Sequence, residues 1–261
     1  MTGPASRADA ATEAAVVDER PTESAERYLE AVYILERTQG AIAARVAERL
    51  AIRPPSVTQA LRRLEAAGWL EVGPDRSLRL TAGGTRLAEQ VMRRHRVLER
   101  WLVEGLGMPW ARAHSESQRM EHAVSPEVVD RLYEAMGRPT TCPNGNPIPG
   151  EAGLPAYAGS ATLADVAARR GRGIAPDGGA REDGPASAGE PEFHVARIAE
   201  DAEESADALA LFDDLGLRPG VAVEVLDSAD HDLRVRVDGR AASLPKPLAA
   251  KVWVERARTR S

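Results

Sequence analysis

Apolar and polar positions divide the chain into three zones. From residue 22 to about residue 136, apolar side chains recur every three or four positions, which is the spacing of amphipathic helices. From there to about residue 191, Gly, Pro, Ala and Ser dominate, a composition typical of a linker or insertion. Short strand-like runs bounded by turn signals then predict a small SH3-like β-barrel. These runs are residues 193–198, 222–227, 233–237 and 252–256.

The beginning of the first zone predicts a winged helix-turn-helix. One helix begins at Thr22 and ends at Gly40, and a short second helix spans residues 42–50. A third helix is opened by Pro54 and Pro55 and ends at a glycine. Two short apolar runs joined by a tight turn follow it. This is the order of a winged helix, in which a β-hairpin comes after the recognition helix.

The rest of the first zone predicts two further helices, from Thr81 to about Leu106 and from Trp110 to about Val124. The fold class is therefore mostly α with a small β part. We expect a disordered tail (1–21), a winged helix-turn-helix (22–81), a helical domain (82–150), a linker with a low-complexity insertion (151–192) and an SH3-like domain (193–258).

Charge is distributed unevenly along the chain. The total is 34 Lys+Arg against 40 Asp+Glu, a net charge of −6, which argues against coating nucleic acid by charge alone. Residues 45–100, however, contain twelve arginines and only six acids. No acid lies between Arg53 and Arg63, and arginine supplies the phosphate neutralisation that DNA affinity needs. This region favours DNA binding over a merely solvated helix face. Its side chains that can read base edges are Ser56, Thr58 and Gln59.

Cysteine content and hydropathy narrow the possible compartments. The single cysteine, Cys142, excludes an internal disulfide and a cysteine-based zinc site. No run reaches the ~20 apolar residues of a membrane span. The N-terminus also lacks the basic-then-apolar order of a secretory signal. We therefore expect a cytoplasmic protein that does not bind membranes.

Histidine and carboxylate side chains share faces on the fourth and fifth helices. His95 and Glu99 are four residues apart and therefore lie on one face of the fourth helix. A short turn joins the two helices, so their faces can converge on a divalent cation. Such matched faces favour a metal site over isolated structural histidines. The side chains that share a face of the fifth helix are His114, Gln118, Glu121 and His122.

The chemistry of these donors narrows the choice of metal. Nitrogen and oxygen ligands without a thiolate favour Mn²⁺ or Fe²⁺ in the cell, with Co²⁺, Ni²⁺ or Zn²⁺ able to bind in vitro. Hydrolysis by a metal-bound water, with Glu121 as base, is the enzymatic interpretation. It is disfavoured because no nucleophile or phosphate-cradling loop accompanies the site, and because a DNA-binding module precedes it.

Several motifs occur in a characteristic order: YLEAVY at 28–33, PSVTQ at 55–59, MRRHR at 92–96, MEHAVS at 120–125 and GNPIPG at 145–150. Together they resemble the DtxR (diphtheria-toxin-repressor) family of metal-dependent transcriptional repressors. The last hundred or so residues resemble the FeoA-type SH3-like domain of that family. The motifs that carry this second resemblance are LADV at 163–166, VARI at 195–198 and LGLRPG at 215–220.

The resemblance implies a homodimer in which metal brings two winged helices into register with a palindromic operator. It implies one metal site at His95, Glu99 and His114. In some members an acid and an amide from the SH3-like domain complete that site, and the nearest candidates here are Glu204 and Asp207. The DNA-contacting positions that carry over are Arg53, Pro55, Ser56, Thr58, Gln59 and Arg63.

The family's second metal site departs from its pattern in this sequence. Glu121 and His122 are present, but Gln118 replaces a Cys or Glu ligand and Arg27 replaces a Met or Asp ligand. A guanidinium cannot ligate a cation and pairs readily with carboxylates. One hypothesis is that Arg27 pairs with Glu121 and fills part of the site. The alternative is that Arg27 swings out and Glu30 ligates instead.

These observations favour a metal-dependent repressor of metal-homeostasis genes, which is not an enzyme. One alternative is a winged-helix regulator whose metal control is weakened or lost, because of Arg27 and Gln118. An alternative of another class is a metal-dependent hydrolase or a metal-buffering protein.

Overall fold

The computed structural model describes residues 21–150, 159, 161–171 and 193–257. Its first part is the predicted winged helix, built from three helices and a two-stranded antiparallel hairpin. Thr22 caps the first helix, because its hydroxyl accepts a hydrogen bond from the amide of Ala25 at 3.3 Å. The elements are α1 (Glu23–Thr38), α2 (Ala43–Arg49), α3 (Pro54–Ala66), β1 (Leu70–Val72) and β2 (Leu78–Leu80).

A single apolar core holds the winged helix together. The buried face of α1 packs on α3 through side chains such as Leu29 and Val57. The same core includes Met92 from the next helix, so the winged helix is anchored to the helical domain that follows. Burial of one face of each helix is what stabilises such short elements.

The helical domain consists of α4 (Ala82–Glu104), α5 (Trp110–Met120) and α6 (Pro126–Ala135). We expected α5 to continue to Val124, but it ends at Met120. The cause is local, since Ser125 caps α6 and Pro126 disfavours a helical conformation in the residue before it. One apolar cluster of this domain joins α4 to α6 through the buried Val97 and Val129.

The C-terminal domain is built on a six-stranded antiparallel sheet with the order β3-β8-β4-β5-β6-β7. The four predicted strands are present, and two strands that the pattern did not reveal complete the sheet. Strands β4 and β5 each contain a β-bulge. The elements are β3 (Ala161–Thr162), α7 (Leu163–Gly171), β4 (Phe193–Ile198), α8 (Glu200–Glu203), α9 (Ala206–Asp214), β5 (Ala222–Ser228), β6 (Asp232–Val237), β7 (Arg240–Pro245), α10 (Lys246–Ala249) and β8 (Val252–Arg256).

The two strands that the sequence pattern missed are β3 and β7. Strand β3 and helix α7 fall within residues 151–192, for which we expected a linker. The structure differs there because Leu163 and Val166 are buried in the core of the C-terminal domain. Residues 151–158, 160, 172–192 and 258–261 lie outside the described residues, as do residues 1–20 of the expected tail (1–21). The domain boundaries themselves stay predictions.

Trp110 and Arg96 are among the residues that join the helical domain to the C-terminal domain. Trp110 at the start of α5 is buried in the apolar core of the C-terminal domain. On α4, the buried Arg96 donates hydrogen bonds to the carbonyl of Pro147 and to the carboxylate of Glu200 in α8. The C-terminal domain is therefore held against the face of the helical domain that carries His95.

Among the described residues, no helix combines the length and the apolar character that crossing a membrane requires.

Gly84→Ala should destabilise the protein, whereas Gly83→Ala should not. A Cβ at Gly84 would lie 2.0 Å from the carbonyl oxygen of Trp69, while one at Gly83 would have its nearest neighbour at 3.6 Å. We expect Gly84→Ala to lower the free energy of unfolding by about 1–3 kcal/mol. Gly83→Ala should leave it unchanged or raise it by up to about 1 kcal/mol. Chemical denaturation measures both, and equal effects would contradict the tight packing of α4 on the wing.

Candidate metal centre and DNA-binding surface

The exposed side of α3 carries the side chains expected to contact DNA. Val57, Leu61 and Leu64 face the core, which leaves the remaining side chains of the helix to solvent. The Thr58 hydroxyl donates to the carbonyl of Pro54 at 3.1 Å, so its oxygen stays available as an acceptor. The structure thus brings together on one exposed surface all six predicted residues: Arg53, Pro55, Ser56, Thr58, Gln59 and Arg63.

Three predicted ligands come together at the centre of the protein. His95 and Glu99 are one turn apart on α4, and His114 faces them from α5. The Nε2 atom of His95 lies 3.1 Å from Nδ1 of His114, which lies 3.6 Å from Oε1 of Glu99. One ligand atom from each residue can be chosen so that all three lie within 4.8 Å of one another. We call these three residues the first cluster.

The C-terminal domain adds carboxylates to the first cluster. Glu203 Oε2 lies 3.8 Å from Nδ1 of His114, and Glu204 Oε2 lies 4.0 Å from its Nε2. Glu204 was predicted from the sequence, but Glu203 was not. Asp207 is exposed on α9 and forms no hydrogen bond or ion pair with the cluster in the described residues. Four of the five residues at 200–204 are acidic, and their spacing does not indicate which of them faces the cluster.

A second cluster, which consists of Glu121 and His122, lies beside the first and contacts it through His95. Nδ1 of His95 is 2.7 Å from Oε2 of Glu121, and Oε1 of Glu121 is 3.3 Å from Nε2 of His122. On its other side, Nδ1 of His122 is 2.7 Å from Oε2 of Glu26, which also pairs with Arg94 at 2.6 Å. Glu26 therefore orients His122, a role that helical spacing within α5 alone could not reveal.

The residues that replace family ligands line a cavity of about 910 Å³ next to the second cluster. Arg27 lines this cavity but forms no ion pair with Glu121 in the described part of the chain, so the hypothesis of that pair is not supported. Glu30 lines the same cavity and lies close enough to Glu121 to interact electrostatically. Gln118 donates to Glu204 at 3.3 Å and lies 3.1 Å from Nε2 of His114. Its amide therefore contacts the first cluster and also lines the cavity.

Burial and mutual charge shift the ionisation of both clusters. Burial alone would lower the pKa of His95, but the hydrogen bond and charge of Glu121 outweigh it and raise that pKa to about 10. Burial, and then the charge of Glu99, raises the pKa of Glu203 to about 7. Removal from water, and then the charge of Glu121, also raises the pKa of Glu30. Glu203 is thus repelled by Glu99, and Glu30 by Glu121, and a cation at either place would offset that repulsion.

The donors present fit a divalent metal ion. Atoms bonded to one ion at about 2.1 Å lie roughly 3–3.5 Å apart. The separations of His114 Nδ1 from His95 Nε2 and from Glu99 Oε1, 3.1 Å and 3.6 Å, are close to this range. Glu99 is only 1% exposed, and its Oε2 has no hydrogen-bond partner among the described residues. A buried carboxylate oxygen without a partner is costly unless a ligand satisfies it. Imidazole with carboxylate, and no thiolate, suits Mn²⁺ and Fe²⁺.

The fold and these clusters define a class of protein, namely a DNA-binding winged helix joined to a metal-binding helical domain. Three family models match the chain in the same order. They are described as the iron-dependent repressor N-terminal DNA-binding domain (residues 21–78), the iron-dependent repressor metal-binding and dimerisation domain (residues 81–150) and the FeoA domain (residues 191–256).

Two relatives match over nearly the whole chain. The iron-dependent repressor IdeR of Mycobacterium tuberculosis (strain H37Rv) is 35% identical over 243 residues, covering 90% of this chain and 97% of the relative. The diphtheria toxin repressor of Corynebacterium jeikeium is 34% identical over 247 residues, with the same coverage. The chain therefore belongs to the iron-dependent (diphtheria-toxin-repressor) family, whose members are transcriptional repressors.

Solved structures agree with this assignment. A manganese-dependent transcriptional repressor in complex with manganese superposes with a TM-score of 0.71 at 26% identity, covering 89% of this chain and 100% of that one. ScaR with bound Zn²⁺ gives a TM-score of 0.69 at 27% identity, covering 91% and 100%.

Glu26→Gln should weaken metal binding through His122. The substitution keeps the size of the side chain but removes the charge that holds Nδ1 of His122 and pairs with Arg94. Loss of a partner that orients a ligating histidine typically costs 10–100-fold in metal affinity, and we expect about 10-fold at the second cluster. Calorimetric titration with Mn²⁺ measures this affinity.

Glu23→Gln is the matched control. Glu23 is exposed, and its Oε1 lies 3.9 Å from Nε2 of His122. We expect Mn²⁺ affinity within about twofold of the native value, because exposed ion pairs contribute little. Equal losses in the two variants would show that general charge, and not the orientation of His122, controls binding.

Proposed function

We propose that this chain is a metal-dependent transcriptional repressor that binds operator DNA when Mn²⁺ or Fe²⁺ occupies its metal centre. The observation that carries the proposal is the position of the first cluster. It lies between the helical domain and the C-terminal domain, and one of its neighbouring carboxylates reaches the DNA-binding domain. Glu204, 4.0 Å from His114, pairs with Arg49 of α2 at 3.4 Å.

The proposed ligands are divided between the two clusters. His95, Glu99 and His114 form the first metal site, with Glu203 and Glu204 as the carboxylates from the C-terminal domain. Support comes from their separations and from the unpartnered Oε2 of Glu99. The donors proposed for the second site are Glu30, Glu121, His122 and Gln118. Because a guanidinium cannot ligate, Arg27 would leave this second site weaker than the first.

The names of the relatives support the choice of metal. They are described as iron-dependent or manganese-dependent repressors, and both ions accept the imidazole and carboxylate donors found here. The metal would act by binding the DNA-competent conformation more tightly than the alternative, since only such a difference shifts the equilibrium. Ligands from two domains would supply this difference in metal affinity, because only the docked conformation brings all of them to one ion.

We also propose a homodimer on a palindromic operator. Around α6, one apolar cluster consists of the buried Val97, Val129 and Ile148, with partly buried side chains packed against it. On α6 the apolar Val128 is 46% exposed. A second copy would cover such a surface, and two winged helices related by a twofold axis would match two half-sites. The regulated genes would be those of metal homeostasis, and the protein would act in the cytoplasm.

The exposed side chains of α3 would contact DNA in two ways. Arg53 and Arg63 would contact phosphates, which gives affinity without sequence information. Gln59, Ser56 and Thr58 would reach base edges. The alternative of a regulator that has lost metal control shares this surface, so the metal response distinguishes the two. Because the family consists of repressors, hydrolysis is not the function that we propose.

His114→Ala should abolish the metal response of DNA binding without unfolding the protein. We expect Mn²⁺ to tighten binding of the native chain to its own promoter by at least about tenfold, and a chelator to reverse the effect. His114→Ala should bind equally weakly with and without Mn²⁺. His231→Ala, which changes an exposed histidine far from both clusters in sequence, should behave as the native chain. Mobility-shift titrations measure this, and a native metal response in His114→Ala would contradict the proposal.

Gln59→Ala and Arg63→Ala should affect DNA binding in different ways. Gln59→Ala should relax sequence preference, with a loss of about 1–3 kcal/mol on the specific site and little on random DNA. Arg63→Ala should weaken both and reduce the slope of log affinity against log salt by about one. Anisotropy titrations at several salt concentrations separate these outcomes. Identical effects of the two variants would count against the proposed orientation of α3.

A further inference from the structure

The turn formed by Asn144, Gly145 and Asn146 connects the first cluster to the C-terminal domain. Asn144 is 2% exposed, and its Nδ2 donates to Oε1 of Glu99 at 2.7 Å. A carboxylate oxygen can only accept when ionised, so this contact fixes the orientation of the amide. With Oε1 held in this way, the unpartnered Oε2 of Glu99 keeps its lone pairs available.

Asn146 makes the equivalent contact to the other domain. It is fully buried, and its Nδ2 donates to Oε1 of Glu203 at 2.6 Å and to the carbonyl of Ile198 at 3.0 Å. The second oxygen of Glu203 is the one that lies 3.8 Å from His114. Each asparagine therefore holds one oxygen of a carboxylate beside the cluster.

The backbone of the turn is fixed on strand β4. Gly145 has φ +82°, and a Cβ there would lie 2.3 Å from the carbonyl oxygen of Ala196. The amide of Ile198 donates to the carbonyl of Asn144 at 2.8 Å. A residue with a side chain would clash here and would also be strained by the positive φ. The turn is thus seated on the C-terminal domain while its two side chains reach the cluster.

We infer that Asn144 and Asn146 are positioning residues of the metal centre: Asn144 orients Glu99, and Asn146 orients Glu203 and so brings the C-terminal domain's carboxylate to the ion. This inference deepens the proposed function and rests on it, since it concerns the same metal site. Hydrogen bonds to ligating carboxylates fix their orientation, and their loss typically weakens metal binding by 10–100-fold.

A double-mutant cycle on the full chain tests the inference. Mn²⁺ affinity is measured by calorimetry for the native chain, Asn146→Ala, Glu203→Ala and the double variant. We expect each single variant to bind about tenfold more weakly. Because Asn146 acts through Glu203, the double variant should be within about twofold of Glu203→Ala. Asn144→Ala is the matched control, because Asn144 acts through Glu99. Adding Asn144→Ala to Glu203→Ala should therefore weaken Mn²⁺ binding by about a further tenfold.

A second readout keeps the test decisive if Asn146→Ala does not fold, as judged by thermal unfolding with chelator. The visible absorption bands of bound Co²⁺ depend on how its ligands are arranged. They should shift in Asn144→Ala, whereas a general loss of stability would leave the spectrum of the bound ion unchanged.

Either of two results would overturn the inference alone: an equal loss from Asn146→Ala in the native and Glu203→Ala backgrounds, or an unchanged Co²⁺ spectrum in Asn144→Ala. A native chain that binds neither Mn²⁺ nor Co²⁺ would instead contradict the proposed function, and the inference would fall with it.

Discussion

Acidic side chains buried where three domains meet are the constraint on which this structure depends. Glu99, Glu121 and Glu203 are each less than a tenth exposed, and they lie beside the equally buried His95 and His114. Charges removed from water destabilise a fold unless they are paired or hydrogen-bonded. Protonated imidazole, asparagine amides and a metal ion are the means of compensation that these residues allow.

That requirement explains why the domains are arranged as they are. The first cluster needs α4 and α5 side by side, and the C-terminal domain adds the carboxylates of Glu203 and Glu204 to that of Glu99 on α4. Arg96 and Glu200 hold the same junction through a buried ion pair. Arg49 of the winged helix forms an ion pair with Glu204 of the C-terminal domain. A chain of contacts therefore connects the first cluster, the C-terminal domain and the winged helix.

Much of the architecture could be predicted from the sequence because it follows from local patterns. The spacing of His95 and Glu99 on one helix, and of His114 on the next, was enough to predict which side chains would meet. Glu203 and Asn144 could not be found in this way, because their roles depend on how a distant domain docks. Strand β7 was missed because the run from Arg240 to Pro245 has few large apolar residues, although it pairs with β6.

The position of the Arg27 side chain could not be predicted, for a different reason. The sequence indicates that this residue cannot be a ligand, but not where its guanidinium goes, since an exposed arginine has many conformations. The structure places it at the edge of a cavity with Glu30 and without a pair to Glu121 in the described residues. The sequence thus shows whether a side chain can be a metal ligand, whereas its actual neighbours are known only from the structure.

The most direct test of the central claim is to locate the ion itself by anomalous X-ray scattering from crystals of the Mn²⁺-loaded protein. The account predicts an anomalous peak within bonding distance of His95, Glu99 and His114, with Glu203 or Glu204 as a further ligand. A peak elsewhere, with the first cluster empty at saturating Mn²⁺, would contradict it.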